Sequence, residues 1–414
     1  MPERKEGVVP RLRFPEFRNA REWEVKRLGE VAEIVRGGSP RPITKYLTKS
    51  DDGLNWLKIG DVQEDTKYIS STEEKIKKCG LSKTREVFPG DLIMSNSMSF
   101  GRPYILRIRT CIHDGWIAIS NINEQIERDY LYYFILSPTS QIYFKSAAAG
   151  GGVKNLNANI IKSTLVCLPS QKEQQKIADC LSSLDEVIEL QAQELEALKA
   201  HKKGLMQQLF PREGETTPRL RFPEFRDAGP WEVKRLGEIC SAFSGGTPSS
   251  SIKEYYGGSI PFIRSAEINQ DTTELFLTEE GLKNSSAKLV VKGDILIALY
   301  GANSGDGALS KIDGAINQAI LCLRSKLNHS FILAYWRLRK NEIVMRFIQG
   351  GQGNLSAEIV KSIAFAFPSL AEQQKIADCF SSLDRVIELE VQKLEALKAH
   401  KKGLLQQLFP QEVD

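Results

Sequence analysis

From about Lys172 to Leu209, apolar residues return at alternating steps of four and three. That spacing puts one stripe along a helix whose partner is another helix, a coiled-coil seam of more than four heptads. The d positions are Ile177, Leu184, Gln191, Leu198 and Leu205, and the a positions are Leu181, Ile188, Leu195, Lys202 and Leu209. The pattern recurs with Ile376, Leu383, Glu390, Leu397 and Leu404 at d, and Phe380, Ile387, Leu394, Lys401 and Leu408 at a. Polar residues interrupt both seams at the same heptad positions, a device that fixes register at a cost in stability. Each helix would span roughly 57 Å at about 1.5 Å per residue, a spacer between globular parts. Pro211 and Pro410 end them, since proline cannot continue the hydrogen-bond ladder. Elsewhere the runs are short. Segments 292–300 and 318–324, with Trp56-Leu57-Lys58-Ile59 and Pro261-Phe262-Ile263-Arg264, predict buried strands. Residues 331–349 have helical spacing with Arg337, Lys340 and Arg346 on the polar side.

The chain also repeats itself. RLRFPEFR occupies 11–18 and 219–226, and WEVKRLGE occupies 23–30 and 231–238, both at an offset of 208. From Gln174 to Pro211 and from Gln373 to Pro410, 32 of 38 positions are identical at an offset of 199, so the first intervening stretch is nine residues longer. The stretches diverge but share a skeleton. Gly37-Gly38-Ser39-Pro40 answers to Gly245-Gly246-Thr247-Pro248, Pro89-Gly90-Asp91 to Lys292-Gly293-Asp294, and Asn155-Leu156 to Asn354-Leu355. The chain is an internal duplication: two heads of one mixed α and β fold with different surfaces. Glu186 and Arg385 stand at equivalent sites, as do Glu194 and Lys393. Opposite charges there are expected to face each other and favour pairing of the two helices.

Composition adds limits. With 414 residues, 41% hydrophobic and 26% charged, the chain is that of a folded protein, and a net charge of +4 leaves nucleic acid open without arguing for it. Seven scattered cysteines without a CxxC pair, and four scattered histidines, give no zinc-site spacing. Free thiols fit a reducing compartment. The opening Met1-Pro2-Glu3-Arg4-Lys5-Glu6 has no apolar stretch behind it, and no run reaches about 18 apolar residues. These features predict a cytoplasmic protein without a membrane partner.

The search for catalytic motifs is mostly negative. No GxxxxGK[ST] loop occurs, and the glycine-rich 301–307 lacks the lysine and reads as a strand-ending turn. No Asn-Pro-Pro or Asp-Pro-Pro motif of an amino-methyltransferase is present. Asp91 and Asp294 read as turn residues, with a nuclease metal site as the less favoured alternative. His113 and His329 lie in unrelated contexts, and His201 and His400 sit on the repeated helix, on its solvated face or at the edge of the seam.

Binding leaves a better trace. Paired glycines allow close approach of backbone to phosphate, and the neighbouring hydroxyl can donate to it; the alternative is a plain tight turn. Arg36 and Arg41 flank the first copy, which favours phosphate contact there. After the Gly-Asp strand come loops that differ between halves, with Ser95, Asn96, Ser97 and Arg102 in one and Tyr300, Asn303 and Ser304 in the other. Asparagine and arginine suit bidentate contacts with adenine and guanine, though any one of these residues also reads as ordinary solvated loop. With Lys58 and Arg264 on the matched strands, the candidate DNA-binding set is Arg36, Gly37, Gly38, Ser39, Arg41, Lys58, Ser95, Asn96, Ser97 and Arg102, then Gly245, Gly246, Thr247, Arg264, Tyr300, Asn303 and Ser304. No catalytic or metal-ligating set emerges.

Two divergent heads, each with this turn, a later Gly-Asp strand, an Asn-Leu pair and a Pro-rooted helix, resemble the specificity subunit of type I restriction–modification systems. Pro169-Ser170-Gln171-Lys172-Glu173-Gln174-Gln175-Lys176-Ile177-Ala178 and Pro368-Ser369-Leu370-Ala371-Glu372-Gln373-Gln374-Lys375-Ile376-Ala377 carry the resemblance most strongly, and it spans nearly the whole chain. It implies an α+β fold: two mixed α/β target recognition domains separated by two long antiparallel conserved helices, a coiled coil, in an internal pseudo-twofold repeat. The expected layout is an N-terminal tail (1–10), recognition domain 1 (11–169), a central helical region (170–211), a linker (212–218), recognition domain 2 (219–368) and a C-terminal helical region (369–414). Each domain would read one half of a bipartite site in double-stranded DNA. The helices would set the spacing and dock two methyltransferase (modification) subunits, which bind S-adenosylmethionine and methylate adenine. Restriction subunits carrying ATP/Mg-driven translocation would join that core, and this chain would hold no cofactor and catalyse nothing. A two-headed coiled-coil adaptor that binds no DNA and a stand-alone nuclease are the competing readings.

Overall fold

The structure, a computed structural model, describes residues 8–62, 66–96, 101–149, 156–348 and 354–411. Both repeated segments form single helices, Gln171–Leu209 and Leu370–Gln407. The chain divides into two compact units. One is Met1–Ala192 with Gln392–Asp414, and the other is Gln193–Val391. Each unit therefore holds one head, the first part of the helix that follows it in sequence, and the last part of the other helix.

In the first unit the two helix segments run antiparallel. Asp185 pairs with Lys401, while Ile177 and Leu181 share a core with Leu404 and Leu408. The second unit repeats this with Asp384 against Lys202, and Ile376 and Phe380 with Leu205 and Leu209. The seam follows the heptads. Ile177, Leu181, Leu195, Ile376, Phe380 and Leu394 are buried, and Leu184, Ile188, Leu198, Leu383, Ile387 and Leu397 are half-buried. The ion pairs are made by charges the two copies share, because an antiparallel pair brings position 185 of one copy to 202 of the other, not to its own twin. The seam lysines thus find carboxylates. His201 and His400 are exposed.

The ends of the helices enter the heads. Phe409 packs on Tyr130 and Phe134 at centroid distances of 5.5 and 5.9 Å. Phe210 does the same with Phe331 and Tyr335 at 5.2 and 4.6 Å. The RLRFPEFR repeat locks onto the start of each helix. Arg13, buried, grips Glu173 with two hydrogen bonds of 2.7 and 2.8 Å and donates to the carbonyls of Ala20 and Arg21. Arg221 and Glu372 repeat the grip at 2.7 Å twice. Gln174 and Gln373 donate to the Pro169 and Pro368 carbonyls at 2.9 Å and accept from the first turns of the head helices, at Glu127 and Asn328. The Glu-Gln pair before Lys-Ile-Ala is thus a joint between head and helix.

Each head is two sheets and a ribbon. In the first head one sheet orders Glu33–Arg36, Trp116–Ser120, Leu92–Ser95, Pro103–Leu106 and Tyr68–Ile69. The other orders Leu47–Thr48, Glu74–Ile76, Leu54–Leu57, Thr110–Ile112 and Arg85–Val87. In the second head the sheets have four strands each: Cys240–Ser244, Ile320–Ser325, Ile295–Ala298 and Gly307–Leu309; then Phe276–Leu277, Tyr256–Ile263, Gly314–Ile316 and Lys288–Val290. A ribbon pairs Glu24–Arg27 with Leu165–Leu168, and Glu232–Arg235 with Ala364–Phe367. The expected strands form with shifted ends, at Leu54–Leu57, Tyr256–Ile263, Ile295–Ala298 and Ile320–Ser325. Gly293 (φ 93°) turns the chain before Ile295, and Lys58 and Arg264 already lead into 3-10 turns. The helical spacing of 331–349 appears as His329–Ile348.

Candidate nucleic-acid interface

The Gly-Gly-Ser/Thr-Pro turn owes its glycines to its own fold. The Gly37 N–H donates to the Trp116 carbonyl and that of Gly38 to the Ile112 carbonyl, so the turn lies flat on the strand-to-strand bend at 112–116. A Cβ on Gly37 would run into the His113 carbonyl, and one on Gly245 into the Ile316 carbonyl. Close backbone approach is required, but to the protein's own strand. A Cβ on Gly38 or Gly246 would meet the Lys83 carbonyl or Ser286, so packing within the head alone demands glycine at these positions.

The turn's hydroxyl then fixes a side chain that sequence reading overlooked. Ser39 donates to Asp114 at 2.7 Å, Arg41 reaches the other Asp114 oxygen at 3.2 Å, and Arg36 donates to the Asp114 carbonyl at 2.8 Å. Asn96, buried, donates to the same carbonyl at 2.8 Å. The Ser39 hydrogen bond, opposed by partial burial and helped by a backbone hydrogen bond and the Arg36 charge, holds the Asp114 carboxyl below the usual range. Burial pushes the His113 imidazole down, so it is neutral near pH 7, and it accepts from the Gly115 N–H. In the second head Thr247 donates to Gln318, which takes the place of Asp114. Pairing Ile112 with Ile316, both of which receive the second glycine's N–H, gives that equivalence. One backbone frame thus presents Arg36, Arg41 and Asp114 in one head and Thr247 and Gln318 in the other.

Other candidates have different surroundings. Lys58 meets Glu74 at 3.1 Å and Glu73 at 3.8 Å, and the Glu74 contact, against slight burial, raises its pKa. Arg264 forks onto Glu267 at 2.9 and 3.0 Å and reaches Glu274, so its charge is matched within the head. Ser95 is buried, and Arg102 lies over the Tyr104 ring at 5.9 Å. Tyr300 is exposed, while Asn303 and Ser304 belong to the turn that ends the strand, Ser304 donating to the Leu299 carbonyl at 3.0 Å. Ser97 and Asn155 lie outside the described residues.

The carboxylates after glycine are turn locks. Asp91 accepts from the Phe88 N–H at 2.8 Å, and Asp294 from the Val291 N–H at 2.9 Å. His329 is tied to the Gly293 carbonyl and Ser325. Among the described residues no three His, Cys, Asp or Glu side chains converge as metal ligands, and no helix is long and apolar enough to cross a membrane. Burial pushes the Cys111, Cys167 and Cys322 thiols up to about 12, which keeps them protonated.

Charge is unevenly distributed. Residues 11–169 carry 24 Lys and Arg against 18 Asp and Glu, and residues 219–368 carry 18 against 15. Both heads exceed the chain's net +4 when taken together, so the excess positive charge lies in the heads and the rest is acidic.

The family model for the type I restriction modification DNA specificity domain matches residues 20–200 and 229–399. A putative type I restriction enzyme MjaX specificity subunit from Methanocaldococcus jannaschii is 25% identical over 94% of this chain and 93% of its own. The EcoR124I/EcoR124II specificity subunit of Escherichia coli is 29% identical over 38% of this chain and 41% of its own. Among solved structures, the type I restriction-modification S subunit from M. genitalium is similar with a TM-score of 0.58 at 16% identity, covering 98% of this chain and 100% of that one. A chain from a type I R-M system studied for complex assembly and conformational transition gives 0.61 at 19%, covering 94% and 98%.

Proposed function

The chain belongs to the type I restriction modification DNA specificity family, of whose domain it carries two copies, and from that premise we propose that each head reads one half of a bipartite site in duplex DNA. One observation carries the reading: the same turn-and-strand frame displays different polar chemistry in the two heads. Asp114 only accepts hydrogen bonds, while Gln318 both donates and accepts, the combination suited to adenine. Arg36 and Arg41 beside Asp114 supply phosphate or guanine contacts. The positive excess of the heads supports phosphate attraction. Lys58 and Arg264 are left as structural ion pairs within the heads.

The long helices set the spacing between half-sites and receive the partners. Val187 and Leu190 stand exposed on the first helix, and Val386 and Leu389 stand exposed at the equivalent places on the second. A repeated apolar pair calls for two copies of one partner, the modification subunits. Adenine methylation with S-adenosylmethionine, and ATP/Mg-driven translocation and cleavage, belong to partner subunits; this chain recognises DNA and catalyses no reaction. Its thiols suit the cytoplasm.

The test is binding of random duplex DNA to the full chain with its modification subunits across a salt series. We expect affinity to fall at least about 100-fold between roughly 50 and 200 mM salt. Arg36→Ala with Arg41→Ala should lower the slope of log affinity against log salt by about two. Salt-independent binding, or none, would remove the DNA reading and favour the adaptor. Cleavage or methylation by this chain alone would favour an enzyme.

A further inference from the structure

The two heads sit on their helices differently, and the difference centres on Lys67. In the first head this lysine immediately precedes Tyr68–Ile69, the fifth strand of a sheet that has only four in the second head. Its side chain is 10% exposed and lies 2.5 Å from the Asp129 carboxylate, an ion contact rather than an aligned hydrogen bond. The ammonium also donates to Ser182 of the long helix at 3.0 Å and rests over the Tyr133 ring at 4.6 Å. The Tyr133 hydroxyl donates to Asp185 at 2.6 Å, and Asp185 in turn holds Lys401. Burial, with the Asp185 charge, pushes the phenol pKa up, so Tyr133 remains a donor. The chain of contacts runs from the edge strand of the head, through its first helix, to both long helices of that unit.

Among the described residues the second unit keeps the helix part and lacks the head part. Asp384 holds Lys202. The head helices superpose through Glu127 and Asn328, each bonded to its helix glutamine, and through Tyr130 and Phe331, each packed on a helix-end phenylalanine. That match puts Ala334 where Tyr133 stands and Ser330 where Asp129 stands. Asp384 is accordingly 52% exposed, against 25% for Asp185. Arg337, one turn along, contributes its charge but gives its Nε to the Gly307 carbonyl.

We propose that Lys67, Asp129, Tyr133 and Asp185 form a latch that fixes the orientation of the first head on its helix pair, and that this latch makes the complex selective for the length of the DNA spacer. The inference rests on the DNA reading above. One added base pair moves a half-site by roughly 3.4 Å and turns it by roughly 35°. Only a head that cannot tilt rejects that change. These four are positioning residues and touch no base.

The test uses the full chain with its modification subunits on duplexes whose spacers differ by single base pairs. Tyr133→Phe removes one hydroxyl, and the paired change Lys67→Met with Asp129→Asn removes the buried ion contact without leaving a lone charge. In each we expect discrimination against the neighbouring spacer lengths to fall about tenfold, the loss of one hydrogen bond to a charged group, with both half-site sequences unchanged. Thermal unfolding confirms that the complexes compared are folded. An unchanged spacer profile in both folded variants overturns the latch and leaves the DNA reading standing. A wild-type complex that binds no specific sequence at any spacer overturns the reading, and the latch with it.

Discussion

Arg221→Ala is expected to destabilise the protein by about 3–5 kcal/mol, the effect of stranding a buried carboxylate. The side chains of Arg221 and Glu372 are 8% and 1% exposed and bridge residues 151 apart in sequence. Arg221 also donates to the carbonyls of Ala228 and Gly229. Removing it leaves the Glu372 carboxylate out of water with no cation. The first turn of the long helix, where Glu372 sits, offsets only about 0.3–1 kcal/mol through the helix dipole. For a unit of this size the loss corresponds to roughly 10 °C in Tm. Changing both partners, Arg221→Met with Glu372→Leu, should cost far less, because no charge is left unmatched. Thermal unfolding of the two variants checks this. A loss under about 1 kcal/mol for the single variant would mean that water reaches the carboxylate and that the repeat motif is not the clamp described.

Leu190→Asp combined with Leu389→Asp is expected to abolish assembly with the modification subunits while leaving the fold intact. These leucines are 64% and 57% exposed on helices whose opposite faces are committed to the seam. A carboxylate there costs the free chain little, since it remains in water. At a docked interface it must be desolvated without a partner, which weakens each contact by on the order of 100-fold. Co-purification and adenine methylation both report the outcome, and either single variant should retain one docked partner. Full assembly of the double variant would place docking elsewhere on the chain.

What could be read from the sequence follows from the range of the forces involved. The seam was legible because period and burial are both local to one helix, and Leu181 or Phe380 needs no distant information to be placed. The strands were legible as apolar runs. Their ends were not, although Asp61 and Glu267, three residues after Lys58 and Arg264, are a capping signal that marks the turn and pre-empts the charge. The packing of Phe409 on Tyr130 joins residues far apart in sequence, and nothing local announces it. The ion pairs within each unit were not legible from equivalent positions, because the antiparallel pair sets position 185 of one copy against position 202 of the other. The paired glycines were read as demanding close approach, and the groups that a Cβ on Gly37 or Gly245 would strike are the His113 and Ile316 carbonyls. Asp114 and Gln318 escaped notice because His-Asp-Gly and Asn-Gln-Ala share no identity. The flanking Ile112 and Ile316, once paired, expose them.

The central claim is that two independent heads read two halves of one DNA site. Sequencing of methylated adenines in a host carrying the complete system tests it most directly, first with this chain and then with residues 11–169 exchanged for a different head. The account predicts a bipartite motif in both cases, with one half replaced and the other retained. A motif that changes in both halves, or a site that is not bipartite, would contradict it.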